Sequence, residues 1–309
     1  MKRLIGILAA LALLCACLPA GTGEEFLFAD QVPVDYQKQY SVRGKVERIA
    51  YPSRAYADKG EEITKYALVY LPPDYSEDTL YDVMILCHGV GGTENEWGFY
   101  NKYSVSRNIV DNLMARGDIR PFIIVMPNGR SCLKPTKTSM DNMGGFYAFG
   151  QELRNDLLPY IDAHYSTYGS QFPDDLTAGR EHRAMAGLSM GGMQTINIGL
   201  CECADLFAWF GAFSAAPTTY TDREIAEKLK AFSDYPISYF YSICGTDDGL
   251  YFAGSGAAKD LPAVCDRFTE ENWHWQERSG GHDFNIWNLG LYNFARIFGA
   301  PGADGVSAP

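Results

Sequence analysis

The 309-residue sequence is poor in basic residues and lacks the cysteine spacing of a metal site. It has 26 Lys and Arg against 38 Asp and Glu, a formal net charge of -12. A nucleic-acid binder needs a basic face to displace counterions from phosphate, so the charge disfavours that function. No Cys-x-x-Cys pair or matching histidine spacing is present, which argues against zinc.

Internal repeats and low-complexity linkers are also absent, so the sequence gives no sign of a repeat protein or of a linker between domains. With 47% hydrophobic and 21% charged residues, the composition is that of a globular protein with ample apolar material for a core. This excludes a disordered or collagen-like chain. The length allows two domains of about 150 residues, but a single α/β domain of about 200 to 250 residues is equally ordinary.

The apolar run near the N-terminus, Leu4 to Leu14, is too short to span a bilayer, which needs roughly 20 residues in a helix. It follows Met1-Lys2-Arg3, as in a signal peptide. The sequence Leu14-Cys15-Ala16-Cys17 resembles a bacterial lipobox. We therefore expect a signal peptide at 1-16, Cys17 as a lipid-bearing N-terminus, and an exported protein, extracellular or lipid-anchored on the bacterial cell surface. Cleavage after Ala20 is the alternative.

Besides Cys15 and Cys17 the chain has six cysteines, and their spacing is not that of a small disulfide scaffold. Cys87 and Cys244 lie in apolar, strand-like runs, which favours buried thiols. The redox state of the six is otherwise open.

Apolar runs of strand length alternate with helical patterns, which predicts an α/β fold with a mostly parallel central sheet and helices on both faces. The predicted strands are 66–71, 83–87, 122–126, 183–186, 208–213, 237–243 and 273–277, and the predicted helices are 149–164, 191–200, 222–232, 261–271 and 286–298. We expect one domain at 41-300, preceded by a tether at 17-40 and followed by a tail at 301-309.

Gly187-Leu188-Ser189-Met190-Gly191 fits a nucleophile elbow, in which a serine sits on a sharp strand-to-helix turn between glycines. The residues before it read as a strand and those after it as a helix, which is the setting that the motif requires. Ser189 is the candidate nucleophile. An idle serine in a glycine-rich turn is the structural alternative.

In α/β-hydrolases the acid and the histidine follow the nucleophile in that order. Only His274 and His282 follow Ser189, and His274 lies inside a predicted strand, so His282 is the candidate base. The acid should follow the strand that ends near Ile243, where Asp247 and Asp248 compete. Spacing alone does not separate them, and either can cap the turn through its own backbone.

An oxyanion hole takes one N–H from the residue after the nucleophile, here Met190, and one from a loop after an early strand. His88-Gly89-Val90-Gly91-Gly92 follows the strand 83–87 and is the candidate loop. A plain glycine-rich turn is the alternative interpretation.

Four segments together resemble the feruloyl esterase domains of cellulosomal xylanases, in the esterase D branch of the α/β-hydrolases. They are 86–97 (LCHGVGGTENEW), 181–192 (EHRAMAGLSMGG), 244–248 (CGTDD) and 280–287 (GGHDFNIW), in that order. The resemblance covers about residues 41–298. It implies the α/β-hydrolase fold, Asp248 as the acid and Val90 as the second oxyanion donor. Two segments depart from the family pattern: 171–179 is an added loop, and 249–258 is glycine-rich and longer than usual. Either could reshape the acyl pocket.

The resemblance implies a secreted serine esterase that releases ferulic or related hydroxycinnamic acids from plant polysaccharide such as arabinoxylan, without metal or organic cofactor. Feruloylated or acetylated polysaccharide is the expected partner, and any membrane contact is through the N-terminal lipid. Among aromatics near the catalytic segments, Trp97 and Trp287 are the candidate substrate contacts. Alternatives are an acetylxylan or small-acyl esterase, an acyltransferase, and a non-catalytic glycan-binding lipoprotein.

Overall fold

In the computed structural model, which describes residues 28–136, 142–250 and 256–301, eight strands form one sheet in the order β1-β2-β4-β3-β5-β6-β7-β8. The strands are β1 (Lys45–Ala55), β2 (Glu61–Leu71), β3 (Asp82–Cys87), β4 (Phe122–Pro127), β5 (Arg183–Leu188), β6 (Trp209–Phe213), β7 (Tyr239–Gly245) and β8 (Trp273–Arg278). β1, β2 and β4 pair antiparallel, and the remaining pairs are parallel. The predicted α/β fold with one mostly parallel sheet is confirmed.

One short helix precedes these strands, and the other helices lie between and after them. They are α1 (Val34–Gln37), α2 (Val105–Ala115), α3 (Met143–Tyr147), α4 (Phe149–Glu152), α5 (Leu158–His164), α6 (Met190–Gln194), α7 (Asp222–Leu229), α8 (Gly256–Lys259), α9 (Leu261–Val264) and α10 (Phe284–Phe298). A π-helical turn, Leu153–Leu157, joins α4 to α5, and another, Thr195–Leu200, extends α6. The continuous helix predicted over 149–164 is therefore present.

The central strands are apolar on both sides, because both faces of the sheet are covered. All six residues of β3 are buried. Alternate residues point to opposite faces, so Ile85 joins a core with Phe149 of α4, whereas Leu86 joins a second core with Leu291 of α10.

This topology gathers the candidate catalytic segments at one edge of the sheet. β3, β5, β7 and β8 run parallel, so the loops that follow them all leave at their carboxyl ends. β4 and β5 lie on opposite sides of β3, and such a switch in strand order opens a crevice at the carboxyl edge.

Two long elements, β1 and α2, were not predicted, nor were the short helices α1, α3 and α8. From Arg48 to Ala55 the burial of β1 alternates, with Ile49, Tyr51 and Ala55 inward and Arg48 and Arg54 among the outward residues, as expected for an edge strand. α2 begins at a Ser104 cap and buries Leu113 among other apolar residues. The alternation in β1 and the helical spacing of apolar residues in α2 are both present in the sequence.

The predicted helix 261–271 is wrong beyond Val264, where α9 ends. Tertiary hydrogen bonds hold the following turn instead. Arg267 donates to the Leu229 carbonyl oxygen at 2.9 Å, and Asn272 Nδ2 donates to the Ile237 carbonyl oxygen at 3.1 Å.

Residues 28–40 of the predicted tether pack against the domain. The Phe28 ring stacks on His274 with 3.6 Å between centroids, and Ala29 N–H donates to Asn293 Oδ1 at 3.0 Å. Val32 is buried in the second core. The predicted signal peptide at 1-16, the predicted lipid-bearing Cys17 and residues 302–309 of the predicted tail lie outside the described residues.

The six cysteines between Cys87 and Cys265 are all buried thiols, as predicted for Cys87 and Cys244. Over the described ranges, no group of three or more His, Cys, Asp or Glu side chains is placed to hold a metal ion. No helix within those ranges has both the length and the hydropathy to cross a membrane.

Candidate active site

Ser189 occupies the turn between β5 and α6 with φ 52° and ψ -114°. A positive φ is strained for a residue with a side chain and persists only where the surroundings enforce it. Here Ser189 N–H donates to the Phe213 carbonyl oxygen at 2.9 Å. A Cβ on Gly191 would lie 2.6 Å from the carbonyl oxygen of Cys87, so only glycine lets α6 start this close to β3. The turn thus holds the serine hydroxyl at the carboxyl edge of the sheet.

His282 lies in the loop between β8 and α10 and reaches the serine. Its Nε2 is 3.0 Å from Ser189 Oγ, and its Nδ1 is 2.8 Å from Asp248 Oδ2. With the proton on Nδ1, the imidazole donates to the carboxylate while Nε2 accepts the serine hydroxyl proton. This is the tautomer that a general base requires.

Asp248, in the turn after β7, has a fully buried carboxylate. Its Oδ1 accepts the Leu250 N–H at 2.8 Å, and the Cys244 thiol lies 3.6 Å from Oδ2. The neighbouring Asp247 is exposed, and its backbone N–H donates to the Gly280 carbonyl oxygen at 2.9 Å. Of the two competing aspartates, the structure therefore brings Asp248 to the imidazole.

The turn that carries Asp248 and the loop that carries His282 contact each other through their backbones. A Cβ on Gly245 would lie 2.2 Å from the Gly280 carbonyl oxygen, so the two segments approach as only glycine permits. Thr246 N–H also donates to the Arg278 carbonyl oxygen at 2.8 Å. These contacts fix the separation of Asp248 and His282.

Val90 and Met190, the predicted oxyanion donors, lie on either side of the serine. Met190 is the first residue of α6, and Val90 lies in the loop after β3. A Cβ on Gly89 would lie 3.3 Å from Ser189 Cβ, so this loop passes directly beside the nucleophile. Neither the Val90 N–H nor the Met190 N–H donates to any residue that the structure describes. Both are available to a ligand oxygen.

His88 fixes the peptide group that carries the Val90 N–H. Its Nε2 accepts the Gly129 N–H at 3.0 Å, so its proton is on Nδ1 and donates to the Gly89 carbonyl oxygen at 2.7 Å. Complete burial lowers the pKa of His88 to about 3. The imidazole is therefore neutral at physiological pH.

Glu96 holds the other side of the same loop. Its Oε2 accepts the Gly89 N–H at 2.6 Å. Burial raises the pKa of Glu96, and the Gly89 hydrogen bond together with the nearby charges of Arg130 and His282 opposes that rise.

The two tryptophans differ in what they can touch. Trp97 is only 1% exposed, its Nε1 donates to the Cys87 carbonyl oxygen at 3.1 Å, and Phe213 and Phe284 pack edge-on against it. The predicted substrate contact of Trp97 is therefore corrected to a core contact that supports β3. Trp287 is 8% exposed and lies edge-on to His282, with 5.1 Å between ring centroids.

A small apolar cluster adjoins the predicted oxyanion donors. It consists of Phe146, Met190, Met193 and Ala216, with Val90 and Met143 partly buried against it. Next to Phe146, the Tyr147 ring is 43% exposed. The four cluster residues are buried, so Val90, Met143 and the Tyr147 ring are the apolar groups here that reach solvent.

Sequence reasoning missed the side chains that hold the oxyanion loop: His88, Glu96 and Arg130. His88 and Glu96 lie within the His-Gly segment, and their proximity to that loop was a usable signal. Arg130 gives no such signal, since it follows β4, a strand to which no site residue was assigned.

Comparisons with known proteins identify a family and relatives. The profile of the Esterase family matches residues 62–293. The endo-1,4-beta-xylanase/feruloyl esterase of Xylanibacter ruminicola is 32% identical over 227 residues, 70% of this chain and 27% of that protein. The endo-1,4-beta-xylanase Y of Acetivibrio thermocellus is 34% identical over 150 residues, 48% of this chain and 12% of that protein. The chain thus spans a minor part of the length of both relatives.

Solved structures share the fold. A feruloyl esterase module from Clostridium thermocellum, complexed with sinapinate, aligns with a TM-score of 0.74 and 23% identity, covering 90% of this chain and 95% of that module. A ferulic acid esterase from the fungus Anaeromyces mucronatus aligns with a TM-score of 0.70 and 24% identity, covering 89% and 99%. The predicted α/β-hydrolase fold is confirmed.

Proposed function

The chain belongs to the Esterase family, and from that premise we propose that it releases ferulic or related hydroxycinnamic acids from plant cell-wall polysaccharide such as arabinoxylan. The observation that carries the chemistry is the continuous hydrogen-bonded series Ser189 Oγ, His282 and Asp248, with distances of 3.0 and 2.8 Å. A serine hydroxyl becomes a nucleophile only beside such a base.

In the acylation step, Ser189 Oγ attacks the ester carbonyl carbon and its proton passes to His282 Nε2. Asp248 stabilises the imidazolium that forms. The carbonyl oxygen becomes an oxyanion that accepts the N–H groups of Val90 and Met190. His282 then returns the proton to the alkoxy oxygen of the sugar, the C–O bond breaks, and the acyl group remains on Ser189.

In the deacylation step, a water molecule takes the place of the sugar alcohol. His282 accepts a proton from the water as its oxygen attacks the acyl carbon. Collapse of the second tetrahedral intermediate returns that proton to Ser189 Oγ and frees the carboxylic acid. These steps use only side chains and backbone groups of this chain.

The acyl group is proposed from two observations. Relatives at 32% and 34% identity are xylanases, one of them also named a feruloyl esterase. The exposed ring of Tyr147, with the partly buried Val90 and Met143 that pack on the apolar cluster beside Met190, offers apolar surface to an aromatic acyl group.

Export and lipid anchoring belong to the same proposal and rest on sequence. The charged start, the apolar run to Leu14 and the Leu14–Cys17 segment support a lipid on Cys17. Expression of the whole chain in a bacterium fed radioactive palmitate tests this. We expect label in the native protein and none in Cys17→Ala, with Cys15→Ala as the matched control that keeps it. Equal labelling of native and Cys17→Ala would overturn the anchor.

The experiment that tests the substrate compares rates on methyl ferulate, 4-nitrophenyl acetate and acetylated xylan. We expect methyl ferulate to be hydrolysed with the highest kcat/KM. Turnover of the acetyl substrates alone would overturn the feruloyl proposal and leave an acetyl esterase. Faster acyl transfer to an added sugar than to water would identify an acyltransferase.

A further inference from the structure

Arg130, which follows β4, is a fully buried cation at the back of the proposed oxyanion loop. Its relative exposure is 0%. No acidic side chain within the described ranges forms an ion pair with it. A buried charge is costly unless hydrogen bonds replace its hydration, so the contacts of this guanidinium indicate why it is retained.

Those contacts are backbone carbonyl oxygens, two of them in the loop that follows β3 and one, that of Pro135, at 3.4 Å from NH1. Arg130 NH1 donates to the Gly92 carbonyl oxygen at 2.8 Å, and NH2 donates to the Val90 carbonyl oxygen. The guanidinium lies 4.6 Å from the ring centroid of Phe146, in the apolar cluster beside Met190. The planar fork therefore spans two carbonyl groups of the loop and packs over an aromatic ring.

The turn that carries Arg130 is itself held by hydrogen bonds from a buried lysine. The buried Lys65 Nζ donates to the carbonyl oxygens of Asn128 at 2.8 Å and Arg130 at 2.7 Å, and to Glu152 at 2.8 Å. Gly129 N–H in the same turn supports His88. The backbone of the turn is thus rigid, and the loop beside Ser189 rests on it.

The two peptide groups that flank Val90 are each held by a different side chain. His88 holds the carbonyl of the Gly89–Val90 peptide, and Arg130 holds the carbonyl of the Val90–Gly91 peptide. Val90 is followed by two glycines. Without the Arg130 contact, the backbone of these glycines would adopt many conformations. Movement there would leave His88 alone to hold the peptide that carries the Val90 N–H beside the serine.

We propose that Arg130 is a positioning residue of the oxyanion hole, which acts with His88 to orient the Val90 N–H by clamping the Val90 and Gly92 carbonyl groups. This inference rests on the proposed ester hydrolysis. Because the clamp needs two donors in one plane, lysine at this position would keep the charge but lose the fork. Loss of the clamp affects the transition state, in which the oxyanion exists, more than the bound ester.

The test measures kcat and KM on methyl ferulate for the native enzyme, Arg130→Lys and Arg130→Gln. It also measures inhibition by a trifluoromethyl ketone analogue of the ester, which forms an oxyanion on Ser189, and by the product ferulate, which does not. We expect kcat to fall by about 10-fold in Arg130→Lys and about 100-fold in Arg130→Gln, somewhat less than loss of a whole donor. KM and ferulate inhibition should stay within about threefold, and ketone affinity should fall in parallel with kcat/KM.

Arg183→Lys is the matched control, because Arg183 is equally buried but binds Asp162 and the Leu176 carbonyl oxygen near the opposite edge of the sheet. It should lower thermal stability without changing the ratio of ketone to ferulate affinity. The proposal is overturned if the Arg130 variants retain native kcat, if only KM changes, or if ketone and ferulate affinities fall equally. A native enzyme that does not hydrolyse esters would instead refute the proposed function.

Discussion

Asp248 Oδ2 lies 2.8 Å from His282 Nδ1, whereas the adjacent Asp247 is exposed and contributes only its backbone N–H to the same loop. Two neighbouring carboxylates thus have separate roles, one orienting the imidazole and one facing solvent. Chemically identical substitutions at the two positions should therefore have very different effects.

We expect Asp248→Asn to lower kcat by about 10³ to 10⁴, because an amide no longer holds the imidazole in its productive tautomer. Asp247→Asn, the control, should stay within about twofold of native. Steady-state rates on methyl ferulate measure both. Equal losses in the two variants would contradict the assignment of the acid.

Gly191→Ala should destabilise the fold and impair catalysis together. Its Cβ would meet the Cys87 carbonyl oxygen at 2.6 Å, which forces α6 away from β3 and displaces Ser189. Overpacking of this kind costs about 1 to 3 kcal/mol of unfolding free energy. In contrast, a Cβ on Gly91 has no neighbour within 4 Å, so Gly91→Ala should be close to neutral in denaturant titrations. Native-like stability and activity in Gly191→Ala would show that the close approach is not needed.

His88 should make the fold less stable in acid. Burial lowers its pKa to about 3 in the folded state, against about 6.5 in the unfolded chain. The unfolded chain therefore binds more protons between these values, and stability falls as the pH falls through that window. The contribution is fully present above about pH 6.5.

Urea unfolding of native protein and His88→Gln at a series of pH values measures this effect. Between pH 6 and 4, the native slope should exceed that of His88→Gln by up to about 1.4 kcal/mol per pH unit, the value for one proton. His164→Gln, which replaces an exposed histidine, should retain the native slope. Identical slopes in native protein and His88→Gln would refute the role of His88.

The sequence is most informative where chain order limits the choices. Only two histidines follow Ser189, and one of them, His274, lies in β8 stacked against Phe28. The strands that precede these residues are apolar because a parallel sheet is covered on both faces. Strand positions and the turns at their carboxyl ends could therefore be predicted together.

Side-chain orientation and the burial of charge could not be predicted in the same way. Asp247 and Asp248 differ only in which way the turn after β7 points them. Trp97 looked like a ligand contact because it lies near the His-Gly segment, but the fold places it beneath that segment. Arg130 is buried only because the turn after β4 lies beneath the oxyanion loop, a proximity that no local pattern encodes.

The most direct test of the account is the rate of ester hydrolysis by Ser189→Ala. Loss of the hydroxyl that lies 3.0 Å from His282 Nε2 removes the attacking atom and leaves the rest of the site in place. On methyl ferulate we expect kcat to fall by about 10⁴ to 10⁶, with circular dichroism and thermal stability close to native. A Ser189→Ala enzyme that kept its kcat within about tenfold of native would contradict the account, since another group would then be the nucleophile.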